Sequence, residues 1–83
     1  MTRAEIIDGI AAVARQHLGW VEPLLPELRL VEDLRLDSIR LLTLAVEVEN
    51  HFRICLDAAD ETGIVTVADL AAVVGRKLGE LGG

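Results

Sequence analysis

From Ser38 to Phe52 the chain reads SIRLLTLAVEVENHF, with no glycine or proline, and its apolar residues recur at a helical interval. At about 100° per residue, Leu41, Leu44, Ala45, Val48 and Phe52 gather on one side and form a core-facing stripe. Such a stripe is stable only when other elements cover it, so the segment calls for a packed helical fold. The rest of the chain agrees. Apolar residues make up 52% of the 83, yet Trp20 and Phe52 are the only aromatics. The core is therefore built from Leu, Val, Ile and Ala, which suits helices better than a barrel or sandwich.

A first helix is predicted over residues 2 to 18. Thr2 followed three positions on by Glu5 is a capping box, Ile6, Ile10, Val13 and His17 follow at helical spacing, and Gly19 stops the pattern. Pro23 and Pro26 make the next stretch a long connection. Leu24, Leu25, Leu28, Leu30, Val31, Leu34 and Leu36 make it too apolar to lie loose, so it is expected to pack over the helices as an ordered loop. The pattern lapses after Phe52, where DAADE fits one short helical turn before Gly63. A last helix begins at Thr66, whose hydroxyl can cap with Asp69 three residues on, and Val67, Leu70, Val73, Val74 and Leu78 give it an apolar face. The expectation is an all-α, single-domain bundle over residues 1–83, with three principal helices, one minor turn and a long ordered first loop.

A chain this short does not readily bury a core and also enclose an active-site cleft, which argues against an enzyme. The net charge of −6 repels phosphate backbones and argues against nucleic acid. No leading signal segment or long apolar span is present, so a cytoplasmic protein without membrane attachment, and a monomer, is expected. The single Cys55 excludes an internal disulfide framework and, between Ile54 and Leu56, reads as a small buried hydrophobe. His17 and His51 are too far apart, and the acids too scattered, to hold a metal. His51 lies about 20 Å along the helix from Ser38, at about 1.5 Å per residue, so it cannot activate that serine.

The second helix carries a second apolar band, Ile39, Leu42 and Val46, beside the core stripe and near Ser38. It is either covered by the leucine-rich loop, most readily at Leu42, or left open as a docking surface. Ser38 has two compatible readings. Its hydroxyl can cap the helix by accepting a free first-turn amide. The same position suits an esterified phosphate, placed at the positive end of the helix dipole, whose cargo would swing over the apolar band.

Leu34-Arg35-Leu36-Asp37-Ser38-Ile39 resembles the signature of the acyl carrier proteins and the related peptidyl carriers: a leucine, a glycine, an apolar residue, then Asp-Ser-Leu. Val48, Glu49 and Phe52, and then Thr66-Val67-Ala68-Asp69-Leu70, match the family pattern downstream, so the resemblance spans nearly the whole chain. It implies that Ser38 is the covalent attachment point of a 4′-phosphopantetheine arm, installed from coenzyme A by a phosphopantetheinyl transferase that engages Asp37. Acyl or aminoacyl groups would ride on the arm as thioesters, supplied by a loading ligase or acyltransferase and passed to downstream synthases or transferases. Asp37, Ile39, Arg40, Leu42, Val46 and Glu47 would form the docking face.

The sequence departs from that family at three positions. Arg35 stands at the glycine position, Ile39 replaces leucine, and Asp57 stands where proline commonly opens the minor helix. The second helix is also electrically balanced, with Glu47 and Glu49 against Arg40 and Arg53, whereas carriers of general fatty-acid synthesis tend to have a markedly acidic one. That balance points to a specialised polyketide, nonribosomal peptide or related pathway, and a chain that begins with Met1 and shows no flanking domain is expected to be a free-standing carrier. The alternatives are a carrier of general fatty-acid synthesis, or a helical interaction module in which Ser38 is only a cap. A Gly-Gly carrier of ubiquitin type is a further alternative for GELGG, but such proteins are rich in strands, and Gly82-Gly83 reads as a frayed tail.

Overall fold

A computed structural model describes residues 2–82. It contains α1 (Arg3–Leu18), α2 (Ser38–Phe52), α3 (Ala58–Thr62) and α4 (Val67–Gly82), and no β-strand among the described residues. The three long helices and the short one fall where the periodicity places them. α4 continues through Gly82; Gly83, the other half of the expected frayed tail, and Met1, taken as the start of a free-standing protein, lie outside the described residues.

Local chemistry accounts for the helix ends. The Thr2 hydroxyl accepts the Glu5 amide at 3.2 Å while Glu5 accepts the Thr2 amide at 3.0 Å, completing the capping box. Gly19, at φ 71°, closes α1 in the left-handed conformation, its amide donating to the Ala14 carbonyl. Asp57, despite standing at a proline position, starts α3 through a reciprocal capping box with Asp60. Thr66 and Asp69 form the same reciprocal pair at the start of α4, at 3.0 and 3.1 Å.

α1 packs against both α2 and α4. Gly9 of α1 sits against the Phe52 ring, and His17 lies beside Glu47, so α1 and α2 run antiparallel. A Cβ on Gly9 would fall 2.5 Å from Phe52 Cζ, which shows how closely the two helices approach there. The α2 stripe behaves as predicted: Leu44, Val48 and Phe52 are buried, and Leu41 packs on the same cluster.

The loop between α1 and α2 is a structural wall. Leu24, Leu30, Leu34 and Leu36 are buried within the common core, while Leu25 and Val31 stay exposed. Its backbone also reaches α4: the Leu28 carbonyl accepts the Val67 amide, the Pro26 carbonyl accepts the Ala68 amide, and Leu30 donates to Val65, each at 2.9 Å. Cys55 is exposed, against expectation. It lies between α2 and α3, where the helical period no longer fixes which residues point inward, and its neighbour Ile54 takes the buried place.

Candidate functional site

The start of α2 assigns the capping role to Asp37, not to Ser38. Asp37 has an extended backbone, and its carboxylate accepts the Arg40 amide at 2.8 Å. Its carbonyl begins the helical ladder by accepting the Leu41 amide at 2.9 Å. Aspartate and serine are comparable caps, and the residue with extended backbone immediately before the first helical turn takes the role. Ser38 is the first residue of the helix and is exposed; among the described residues its hydroxyl has no hydrogen-bond partner. A free primary hydroxyl thus stands at the positive end of the α2 dipole.

Beside Ser38 opens an apolar cleft of about 330 Å³. Leu41, Leu42 and Ala45 of α2 line it with Leu30 from the loop, Leu56 and Ile64 from either side of α3, and Leu70 from α4. Glu61 and Ser38 supply the polar groups in its lining. The far wall is pinned electrostatically. The buried Asp60 of α3 pairs with Arg76 and, at 3.0 Å, with Lys77, both on α4. The Asp57 amide, and then Lys77, hold the Asp60 carboxyl below the usual carboxylate range.

The second apolar band of α2 is open. Ile39 is 74%, Leu42 62% and Val46 42% exposed, so the loop covers none of them, Leu42 included. Arg40 is exposed beside the band. Glu47, expected on the docking face, is instead turned toward α1, its carboxylate 3.5 Å from His17 Nε2. Glu49 is also engaged by the protein body, accepting the Leu56 amide at 2.7 Å.

Arg35, at the family's glycine position, has a left-handed backbone, with φ at 56°. The left-handed conformation costs a non-glycine residue about 1–2 kcal/mol, so the strain at this position is tolerated rather than avoided. Nothing in the chain's own periodicity marks Arg35 as left-handed; the one signal is the glycine that the family pattern puts there. The Asp60 clasp was equally hidden, since its partners lie sixteen and seventeen residues away.

No family model matches the chain. Individual proteins do. The meromycolate extension acyl carrier protein of Mycobacterium tuberculosis is 35% identical over 82 residues, covering 96% of this chain and 70% of the relative. The acyl carrier protein of Thermotoga maritima is 33% identical over 79 residues, covering 94% of this chain and 98% of the relative. A solved structure assigned as an acyl carrier protein of M. tuberculosis superimposes with a TM-score of 0.79 at 30% identity, covering 86% of this chain and 96% of the other. The family pattern around Ser38, the four-helix architecture and these likenesses agree, and the chain belongs to the acyl carrier proteins.

Proposed function

We propose that this carrier holds acyl or aminoacyl groups as thioesters on a 4′-phosphopantetheine arm esterified to Ser38, and presents them to the enzymes of a specialised biosynthetic pathway. The observation that carries the reading is the division of labour at the α2 start: Asp37 does the capping, which leaves the Ser38 hydroxyl exposed and unpartnered. The residues fit the group. Ser38 offers the ester oxygen, the helix start offers a favourable potential for a phosphodiester, and the cleft beside it offers apolar cover for an aliphatic cargo. When bound, the arm supplies a terminal thiol; the chain itself positions and shelters.

In this reading a phosphopantetheinyl transferase takes the Ser38 hydroxyl to the phosphate of coenzyme A and releases adenosine 3′,5′-bisphosphate, with Asp37 part of the surface it engages. A loading ligase or acyltransferase and downstream synthases then dock in turn on Ile39, Leu42 and Val46. The exposed band, small and rimmed by charge, suits transient contact. We place the protein in the cytoplasm as a monomeric, single-domain carrier; no described helix is long and apolar enough to cross a membrane. The balanced charge of α2 supports a specialised pathway, and so does the name of the mycobacterial relatives, which assigns those proteins to meromycolate extension.

Incubation with coenzyme A and a promiscuous phosphopantetheinyl transferase, followed by intact-mass measurement, tests the assignment. One phosphopantetheine is expected on the wild-type chain and none on Ser38→Ala; no gain, or a gain that survives the substitution, sinks it.

A further inference from the structure

The cleft beside Ser38 is graded from an apolar floor to a polar mouth. Leu30, Leu44 and Leu70 line it and are buried, whereas Leu42, Ser38 and Glu61 line it and are exposed. Among the described residues Glu61, on α3, is the one charged side chain in the lining, and no base lines the cleft with it. The bases of α4 are committed elsewhere: Arg76 pairs with Asp60, and Lys77 pairs with Asp60 and, at 4.0 Å, with Asp57. Among the described residues the Glu61 carboxylate forms neither a hydrogen bond nor an ion pair. Its part in the fold is played by the backbone, whose amide donates to the Asp57 carbonyl and whose carbonyl accepts the Ile64 amide, each at 3.2 Å. A carboxylate with no structural duty thus stands at the opening of an apolar cleft.

We propose that Glu61 is the specificity-determining residue of the cleft, and that the cargo it selects is an aliphatic acyl group bearing a hydrogen-bond donor, a hydroxyl or an ammonium, beside its thioester. The proposal rests on Ser38 carrying the arm and on the cleft sheltering the cargo, and it narrows that cargo to one class. The floor sets the aliphatic half: a polar group carried down to Leu30, Leu44 and Leu70 would lose its water and find no partner. The mouth sets the donor half, because a carboxylate only accepts hydrogen bonds, and does so most strongly from a charged or hydroxyl donor. The donor belongs near the thioester because the free end of the cargo reaches the floor while Glu61 stays at the opening. A plain alkyl chain gains the floor and nothing from Glu61; a carboxylated acyl group would set a second negative charge beside the first.

The test installs hexanoyl, 3-hydroxyhexanoyl and leucyl arms on the full chain from the matching coenzyme A thioesters with a promiscuous phosphopantetheinyl transferase, each product checked by intact mass. Protection is read as the rate of hydroxylamine cleavage of the coenzyme A thioester divided by the rate on the carrier, which removes the intrinsic reactivity of each cargo. In the wild-type chain the hydroxyacyl arm, the leucyl arm or both are expected to be protected about two- to fivefold more than the hexanoyl arm, the scale of a charged contact at an exposed rim; which of them gains assigns the donor. Glu61→Ala is expected to bring that protection down to the hexanoyl level and to leave the hexanoyl arm as it was. Glu61→Gln keeps an acceptor but no charge, so a hydroxyacyl preference should largely survive in it and a leucyl preference should not. Equal protection of all three arms in the wild-type chain overturns the proposal. So does a parallel loss for all three in Glu61→Ala, which would give the residue a purely structural part. If the wild-type chain never acquires the mass of any arm, the attachment reading fails instead.

Discussion

The Asp37 carboxylate accepts the Arg40 amide at 2.8 Å across Ser38, which stands between them in the chain without joining the bond. Helix capping and the free hydroxyl are thereby placed on adjacent residues. Asp37→Ala is expected to lower stability by about 1 kcal/mol, read in urea titrations, whereas Ser38→Ala should stay within about 0.5 kcal/mol of wild type while abolishing the mass gain. An equal loss of stability in the two variants would return the capping role to the serine.

Arg35→Gly is expected to stabilise the fold by about 1 kcal/mol, since glycine adopts the observed φ of 56° without a Cβ penalty. For a domain of this size that corresponds to a rise in Tm of about 4–8 °C. A fall in Tm would mean that the arginine side chain contributes more to folding than its backbone strain removes.

Asp60 makes a prediction about acid. Its carboxyl is held below the usual range by the Asp57 amide and then by Lys77, so its folded value lies under its unfolded one. The stability it contributes is present above the unfolded aspartate value of about 3.9 and is lost as the pH falls from there through the lower folded value. The gap in unfolding free energy between wild type and Asp60→Asn is expected to be constant from pH 7 to pH 5 and to close below pH 4. A gap that stayed open at low pH would remove ionisation from the explanation.

Gly9→Val is expected to destabilise by about 1–2 kcal/mol, because its Cβ alone would come 2.5 Å from Phe52 Cζ and the α1–α2 interface must open to admit it. Thermal melts of the variant, and of a Gly9→Val, Phe52→Leu pair that makes room, would check this. The pair should recover part of the loss.

In the cleft, Ala45→Phe is expected to fill the space beside Leu41 and Leu42 while leaving the apo-protein folded. If the cleft shelters aliphatic cargo, the thioester of a medium-chain acyl form should become more accessible to hydroxylamine in this variant. Unchanged cleavage would place the cargo outside the cleft.

The parts of this structure legible in the sequence are those decided within a turn or two. Thr2 and Glu5 announce α1 because a capping box is closed over four residues, and the α2 stripe announces its buried face because the helical period fixes it. At Asp37-Ser38 two good caps stand side by side, and only the backbone geometry shows which one is used. Cys55 escapes because no period operates between α2 and α3. The Asp60 clasp and the inward turn of Glu47 escape for another reason: their partners, Arg76, Lys77 and His17, belong to other helices, and the packing that joins them is not encoded by local spacing.

The carbonyls of Pro26 and Leu28 accept the amides of Ala68 and Val67, so the first turn of α4 is completed by backbone some forty residues upstream. The Thr66–Asp69 pair starts that turn locally, and the docked connection then satisfies two amides that the helix itself leaves free. Amide hydrogen exchange at Val67 and Ala68 should accordingly report opening of the connection and the last helix as one cooperative unit, so that a cut anywhere in the connection would loosen the far end of the chain.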